Sequence, residues 1–211
     1  GGYLEKLIER SAERVTALGE RLRERVYNDV LPLLATGIAN ARGLKNPTIE
    51  ELRTTQGMAL STLFRMLFIS YAEDRALLPY AESADYRKIS LKRLALEWSE
   101  ESPEFDSHSS GLWERLAKIT RAVHDGSDEL SIPAYGGTPF SSDPQVSETG
   151  HLLEGINLED SSFGPALRDL ITDLSADDGL GPIDFRELSV REFGTIYEGL
   201  LESELCYAKT D

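Results

Sequence analysis

The sequence has few of the features that assign a chain directly to a class of protein. Its only cysteine is Cys206, so no disulfide can form within the chain, and a reducing compartment such as the cytoplasm is expected. The longest apolar run, residues 66–69 with their neighbours, is far too short to cross a bilayer. Strand patterns are scarce, and no repeat with a period of about 20–50 residues is seen. These gaps exclude disulfide-rich, membrane-spanning and repeat proteins, and they favour a mostly helical one.

Several catalytic motifs are also missing. None of the nine prolines is next to another, which excludes the Asp/Asn-Pro-Pro-Tyr loop that holds a flipped adenine. No Asp or Glu stands two positions before a Lys, as in metal-dependent nucleases. Glu148 and His151 have the spacing of half a di-metal site, without a second copy. The Gly-Leu-Gly triplet at 179–181 is predicted to follow a helix that ends at Leu174, so we interpret it as a helix stop. We therefore assign no catalytic, cofactor-binding or metal-binding residue.

The formal net charge is −15, which is unusual for a protein that contacts nucleic acid through Lys and Arg. This charge is unevenly distributed. Residues 1–95 contain fifteen Lys/Arg against twelve Asp/Glu, whereas residues 96–211 contain seven against twenty-five. Any contact with DNA is therefore expected from the first half. The acidic second half is expected to face solvent or a basic neighbouring surface.

Residues 1–45 have the pattern of one long amphipathic helix. Its apolar arc contains Leu4, Ile8, Val15, Leu18, Leu22 and Val26. Its basic arc contains Lys6, Arg10, Arg14, Arg21 and Arg25. This basic arc is our candidate for contact with DNA or with an acidic partner, although a solvated face is the commoner use of such a pattern. Pro32 is expected to kink or divide the helix.

The remaining residues, 46–211, are predicted to form a helical domain. Thr48 and Glu51 make a capping box that opens a helix, and residues 58–69 of this helix are apolar on almost every side. We expect this helix at the centre of the core. Further helices are expected at 90–98, 111–123 and 163–174, the second with Leu116, Ile119 and Val123 facing inward. The prediction is an all-α fold in which the long first helix packs beside an irregular helical bundle.

Two segments inside this domain have unusual compositions. The helix-end segment, residues 71–79, reads YAEDRALLP and places Glu73, Asp74 and Arg75 at the end of the apolar helix. We expect these charges to form a buried ion pair or to cap carbonyls that fix the next loop. The loop segment, residues 132–140, reads IPAYGGTPF and is predicted to be irregular because of its glycines and prolines.

A third segment, the closing segment, comprises residues 182–202 and reads PIDFRELSVREFGTIYEGLLE. Ser189 and Glu192 form a second capping box and predict the start of an amphipathic helix. Its apolar face is expected to contain Val190, Phe193, Ile196, Tyr197, Leu200 and Leu201. Gly194 and Gly199 within this helix predict that another backbone approaches closely. Packing, rather than catalysis, is the role that we expect for Tyr197 and Glu198.

Taken in order, the three segments resemble the helical connector that precedes the methyltransferase domain in type IIG-like fused restriction enzymes and related phage-defence methyltransferases specific for adenine. The loop segment departs from that family in having Thr138 and Pro139 where Leu is usual and in lacking an Asn. The resemblance implies that residues 46–211 end at the entry to an absent methyltransferase domain, which would be this connector's partner.

The resemblance also implies a chemistry for the parent protein. The parent would transfer a methyl group from S-adenosylmethionine to N6 of adenine in a specific DNA sequence. Whether it also cleaves DNA with Mg2+ stays open. The connector itself is expected to be catalytically inactive, to bind no cofactor, and to meet DNA, if at all, as part of the parent.

Two other functions fit parts of the sequence. The acidic second half suits a stand-alone adaptor or DNA mimic, which would occupy a basic nucleic-acid groove. The basic arc suits a DNA-clamping module, which binding to duplex DNA over a salt series would test.

Overall fold

The protein is described by a computed structural model that covers residues 18–176, 179–196 and 198–199. Within these ranges the chain is mostly helical, with one two-stranded sheet, so the predicted all-α class is confirmed. None of the helices in this part of the chain is long and apolar enough to span a membrane.

The first helix continues through Pro32 instead of breaking there. Residues 18–25 are α-helical and run into a π-helical turn, Val26–Val30, and then into α1, Leu31–Ala41. The amide of Leu31 bonds to the carbonyl of Val26, five residues back. This wider turn lies directly before the proline, whose ring and missing N–H disturb the normal ladder. The buried stripe contains Leu18, Leu22, Val26, Val30, Leu34 and Ile38. Leu4, Ile8 and Val15 of the predicted arc lie outside the described residues.

The longest helix of the described chain is α2, Ile49–Asp74, and it is central as predicted. The capping box at its start is formed, because the amide of Glu51 bonds to Thr48 Oγ1 at 3.2 Å and the amide of Thr48 bonds to Glu51 Oε2 at 2.8 Å. Met58, Leu63 and Met66 are fully buried. The helix packs against α1 and also buries polar side chains, which the apolar pattern did not predict: Thr55, Thr62, Arg65, Ser70 and Glu73.

Five shorter helices surround α2. They are α3 (Ala84–Ile89), α4 (Leu91–Glu100), α5 (Gly111–Asp125), α6 (Glu148–Glu154) and α7 (Asp160–Ile171). Single 3-10 turns are found at Thr138–Phe140 and Phe185–Glu187, and residues 190–196 are helical. The inward face predicted for α5 is confirmed, because Leu116, Ile119 and Val123 are buried.

The helix predicted to reach Leu174 ends at Ile171. An antiparallel hairpin follows, with strand β1 at Thr172–Ala176 and β2 at Gly179–Pro182. A tertiary contact accompanies the change, since Arg25 Nη1 donates to the carbonyl of Thr172 at 2.6 Å. The Gly-Leu-Gly triplet therefore follows a strand, contrary to our prediction. It lies in β2 and leads to Pro182 rather than into a helix, which is not the strand–turn–helix context of a nucleotide-binding glycine turn.

Candidate functional site

The three segments singled out in the sequence meet at the C-terminal end of α2. The hydrogen bonds between them join residues that are 58 to 113 positions apart. The helix-end segment contributes Asp74 and Arg75, the loop segment contributes Tyr135, and the closing segment contributes the backbone of 185–188. We call this set of contacts the junction.

Asp74 connects two elements through its two oxygens. Its Oδ2 accepts a hydrogen bond from the amide of Phe185 at 2.8 Å, and its Oδ1 forms an ion pair with Nζ of Lys92 at 2.8 Å. The carboxylate is nearly buried, which strengthens both interactions relative to a solvent-exposed pair. Asp74 therefore ties the start of a 3-10 turn in the closing segment to α4.

Arg75 binds the same turn from its other end. Its Nη2 donates to the carbonyls of Arg186 at 3.1 Å and Leu188 at 2.9 Å, and the guanidinium lies 5.3 Å from the ring centroid of Tyr71. These carbonyls lie within three residues before Ser189, the cap of the helix at residues 190–196, which we call the closing helix. Asp74 and Arg75 together fix the backbone from which that helix starts.

Glu73 is the most buried carboxylate at the junction. It accepts hydrogen bonds from Tyr86 Oη at 2.7 Å, from the amide of Leu91 at 3.0 Å and from the amide of Lys92 at 2.6 Å. The two amides are at the start of α4, so Glu73 caps a helix from outside it. Burial raises the pKa of Glu73 to about 7, because the loss of hydration outweighs the three hydrogen bonds that favour its charged form.

The loop segment is attached to α2 and its end at two points. Tyr135 Oη donates to the carbonyl of Leu77 at 2.7 Å, and Arg65 Nε donates to the carbonyl of Pro139 at 2.8 Å. Between these points Gly136 and Gly137 have φ angles of 67° and 96°, which residues other than glycine rarely adopt. The irregular conformation predicted from composition is thus held by contacts at both ends.

An aromatic cluster forms the apolar side of the junction. The ring centroids of Phe68 and Phe140 are 5.0 Å apart, those of Tyr71 and Phe193 are 5.3 Å apart, and Phe64 lies 6.3 Å from both Phe140 and Phe193. These separations are in the range in which aromatic pairs attract beyond simple burial. The cluster joins α2, the loop segment and the closing helix.

A cavity of about 230 Å³ lies beside the junction, between α2, α4 and the closing segment. Its lining includes Glu73, Asp74 and Lys92 together with apolar side chains such as Leu91 and Ile183. Ser70 also lines it, and Ser70 Oγ is buried without a hydrogen-bond partner among the described residues. The junction is therefore not fully packed where it meets α4.

The basic arc of the first helix is only partly described. Lys6, Arg10 and Arg14 lie outside the described residues. Arg25 donates to Asp173 Oδ1 at 2.9 Å as well as to the Thr172 carbonyl, and Arg21 is 3.8 Å from Asp173 Oδ2 with half of its side chain exposed. Arg25 therefore anchors the β-hairpin to the first helix, a role that the sequence did not suggest.

The closing helix differs from its prediction at three residues. Its capping box is formed, with the amide of Ser189 2.7 Å from Glu192 Oε2 and the amide of Glu192 3.2 Å from Ser189 Oγ. Val190, however, is 75% exposed, so the buried face begins at Phe193 and Ile196. Among the described residues outside its own helical turn, no atom lies within 4 Å of the Cβ position of Gly194, and at Gly199 the neighbour is the hydroxyl of Tyr27, a side chain. Among the described residues, no backbone approaches either glycine in the way that we predicted. Glu198 is exposed, and Tyr197 lies outside the described residues.

Glu148 and His151, which have the spacing of half a di-metal site, are on one short helix. Glu148 and His151 lie on α6 near its cap, Ser147, whose Oγ accepts from the amide of Gly150 at 3.1 Å. Among the described residues no three His, Cys, Asp or Glu side chains converge in a way that could hold a metal ion.

Two contributors to the site were missed in the sequence. Arg65 was hidden within an apolar helix, although a single Arg among residues 58–69 is itself a signal that a buried charge needs partners. Lys92 gave no local signal, because its pairing with Asp74 depends on the packing of α4 against α2.

Comparison of the chain with known protein families, with curated proteins and with solved structures found no match in any of the three.

Proposed function

We propose that this chain is the helical connector of a site-specific DNA adenine methyltransferase of the restriction-modification or phage-defence type. The observation that carries the proposal is the junction, in which the helix-end segment contacts both of the other segments that resemble the family. Segments that are far apart in sequence and meet at one place suggest one shared role. Support comes from these contacts and from the resemblance, and no relative contributes to it.

The proposed role of the connector is to set the direction of the closing helix. Asp74 and Arg75 bind the backbone on either side of the turn that precedes this helix, and Phe193 packs against Tyr71 one turn into it. A helix held at its cap and at its first buried side chain has little freedom to pivot. A following methyltransferase domain would thereby be positioned relative to α2, while its own residues hold S-adenosylmethionine and the target adenine.

The surface around the junction offers a place for that domain to pack. Three of the exposed large apolar side chains lie one in each segment: Leu77 at 54%, Tyr135 at 51% and Val190 at 75% exposure. Tyr135 lies close to the backbone of Leu77, because its hydroxyl donates to the carbonyl of that residue. If these side chains form one contiguous patch, it is the kind of surface that a partner typically covers.

The test uses the intact protein encoded by the gene that contains this sequence. We expect Arg75→Met to lower adenine-N6 methylation of its DNA target by at least about tenfold, because small displacements of a reacting centre are costly. Binding of S-adenosylmethionine should be unchanged. Arg93→Met is the matched control, since Arg93 pairs with Glu97 on the exposed side of α4.

Two outcomes would contradict the proposal. The first is an intact protein whose sequence after residue 211 encodes neither a glycine-rich cofactor turn nor a Pro-Pro-Tyr-type loop. The second is a methyltransferase in which Arg75→Met and Arg93→Met methylate DNA equally well.

A further inference from the structure

A second cavity lies away from the junction, between α2, α5 and α6. It has a volume of about 370 Å³. Arg65 of α2, Trp113 and Thr120 of α5, and Glu154 at the end of α6 contribute to its lining, and Arg121 and Glu114 lie among its exposed residues. None of its lining residues belongs to the junction segments.

Arg65 is the unusual residue of this cavity. It is only 6% exposed, and its guanidinium has two acceptors, the carbonyl of Pro139 at 2.8 Å and the carbonyl of Ser141 at 3.5 Å. Burial lowers its pKa to about 10, which still leaves it charged at neutral pH. Among the described residues it forms no ion pair, and Glu154 attracts it only at longer range. A buried cation without a contacting anion is costly, and carbonyl oxygens compensate it only in part.

The neighbouring side chains suit an oxyanion on one side and a donor on the other. Thr120 is buried and has a hydroxyl that can donate, whereas Thr62 already donates to the carbonyl of Met58 at 2.9 Å. Among the exposed lining residues, the carboxylates Glu114 and Glu154 outnumber the one cation, Arg121, and would together repel a second negative charge. A ligand with a single oxyanion could bind Arg65 and Thr120 through that group. A hydrogen-bond donor or ammonium group at its other end could meet Glu114 and Glu154.

We propose that this cavity is a binding site for a small zwitterionic or singly charged carboxylate or phosphate compound, whose oxyanion contacts Arg65 and Thr120. Arg is suited to this role because its planar fork binds two oxygens of a carboxylate or phosphate at once. The cavity shares Arg65 with the attachment of the loop segment, but none of its lining residues lies in the helix-end, loop or closing segment, so anion binding can be measured apart from methylation.

The chain provides its own probe for the test. Trp113 lines the cavity and Trp98 lies on α4, and these are the two tryptophans of the sequence. In a Trp98→Phe background, fluorescence of Trp113 should change saturably with glycine, acetate or inorganic phosphate at constant ionic strength. Glycine is expected to bind more tightly than acetate, because its ammonium group can meet Glu114 and Glu154. A stronger response to phosphate than to acetate would assign the oxyanion as a phosphate.

Variants identify the residues. Arg65→Lys should weaken binding by at least about tenfold, because it removes the bidentate fork. Arg93→Lys, at an exposed ion pair on α4, is the matched control and should bind normally. Glu154→Gln should tighten binding of acetate by removing a competing negative charge, and this variant keeps the test decisive if Arg65→Lys does not fold. The proposal fails if no anion gives a saturable response, or if the Arg65 and Arg93 variants bind equally.

Discussion

At the scale of single residues, two neighbouring carboxylates at the end of α2 have different surroundings. Asp74 has a lysine partner, whereas Glu73 has only neutral donors: one hydroxyl and two backbone amides. The pKa of Glu73 is therefore raised from its ordinary range to about 7. A raised pKa means that the folded protein binds this proton more tightly than the unfolded chain does.

Because the pKa of Glu73 is raised, the folded protein loses stability as the pH increases. The stabilisation from protonating Glu73 is fully present below about pH 4.5 and is lost as the pH rises through about 7. Over that range we expect the free energy of unfolding of the wild type, measured relative to Glu73→Gln, to fall by up to about 3 kcal/mol. Urea titrations of both proteins at several pH values would measure it.

A second variant checks the cause. Tyr86→Phe removes the hydrogen bond that favours the charged form of Glu73, so the pKa should rise and the fall in stability should extend to higher pH. If the difference in the free energy of unfolding between wild type and Glu73→Gln did not vary with pH, burial would not be raising the pKa of Glu73.

Sequence reasoning anticipated part of this arrangement. It singled out Glu73, Asp74 and Arg75 because charges are rare at the end of an apolar helix. It could not identify their partners, because most of these are backbone atoms of distant residues, such as the amide of Phe185 and the carbonyl of Leu188. A backbone amide has no signature in the sequence that shows which side chain will bind it.

At the scale of secondary structure, patterns among residues close in sequence predicted where two helices begin. Contacts between residues far apart in sequence could not be predicted. Both capping boxes are formed, since each depends on residues only three positions apart. The hairpin after α7 was missed, because Arg25 holds the Thr172 carbonyl from 147 positions away. The exposure of Val190 was missed for the same reason. Helical spacing predicts which residues share one side of a helix, but it does not show which of them another element covers.

Replacing two helical glycines, Gly164 and Gly194, with alanine is expected to change the stability of the protein in opposite directions. A Cβ at Gly164 of α7 would clash with the ring of Phe105, which also packs edge-on against Trp98 at 5.7 Å. A Cβ at Gly194 would meet no atom within 4 Å in the part of the chain that the structure describes, apart from its own helical turn. Gly194→Ala should therefore stabilise the protein by up to about 1 kcal/mol through helix propensity. Gly164→Ala should destabilise it by about 1–3 kcal/mol through overpacking.

Chemical denaturation of the two variants beside the wild type measures both effects. If Gly164→Ala also proved stabilising, the segment around Phe105 would have to move away from α7 at little cost. Phe105→Ala combined with Gly164→Ala separates these cases, because removing the ring should restore the normal gain from replacing a helical glycine with alanine.

At the scale of the whole molecule, the uneven charge seen in the sequence is partly neutralised across the fold. Arg21 and Arg25 from the basic half both approach Asp173 from the acidic half. Charge counting could show the imbalance between the halves, but only the fold shows which charges pair. Whether the rest of the basic arc contacts DNA, and whether the acidic half acts as a DNA mimic, remain predictions from the sequence.

The junction also predicts a long-range coupling that can be measured. Phe140 does not pair with Phe193, but both pack against Phe64, so a change in the loop segment should reach the closing helix through the ring of a third residue. Phe140→Leu keeps an apolar side chain and removes the ring stacking. We expect amide hydrogen exchange in residues 193–196 to accelerate by about threefold to tenfold, a loss of about 0.6–1.4 kcal/mol, which is the size of an aromatic pair. The amides at the centre of α2 should be affected less.

The matched control for this coupling is Phe105→Leu, which removes a ring that packs against Trp98 outside the aromatic cluster. It should leave exchange in residues 193–196 unchanged. Equal protection of the closing helix in both variants would mean that the loop segment and the closing helix are held by α2 separately. Acceleration in Phe140→Leu alone would mean that the cluster transmits a change from one segment to another. A connector in which the loop segment helps to hold the direction of the closing helix requires the second behaviour, because only then does a change in the loop segment reach that helix.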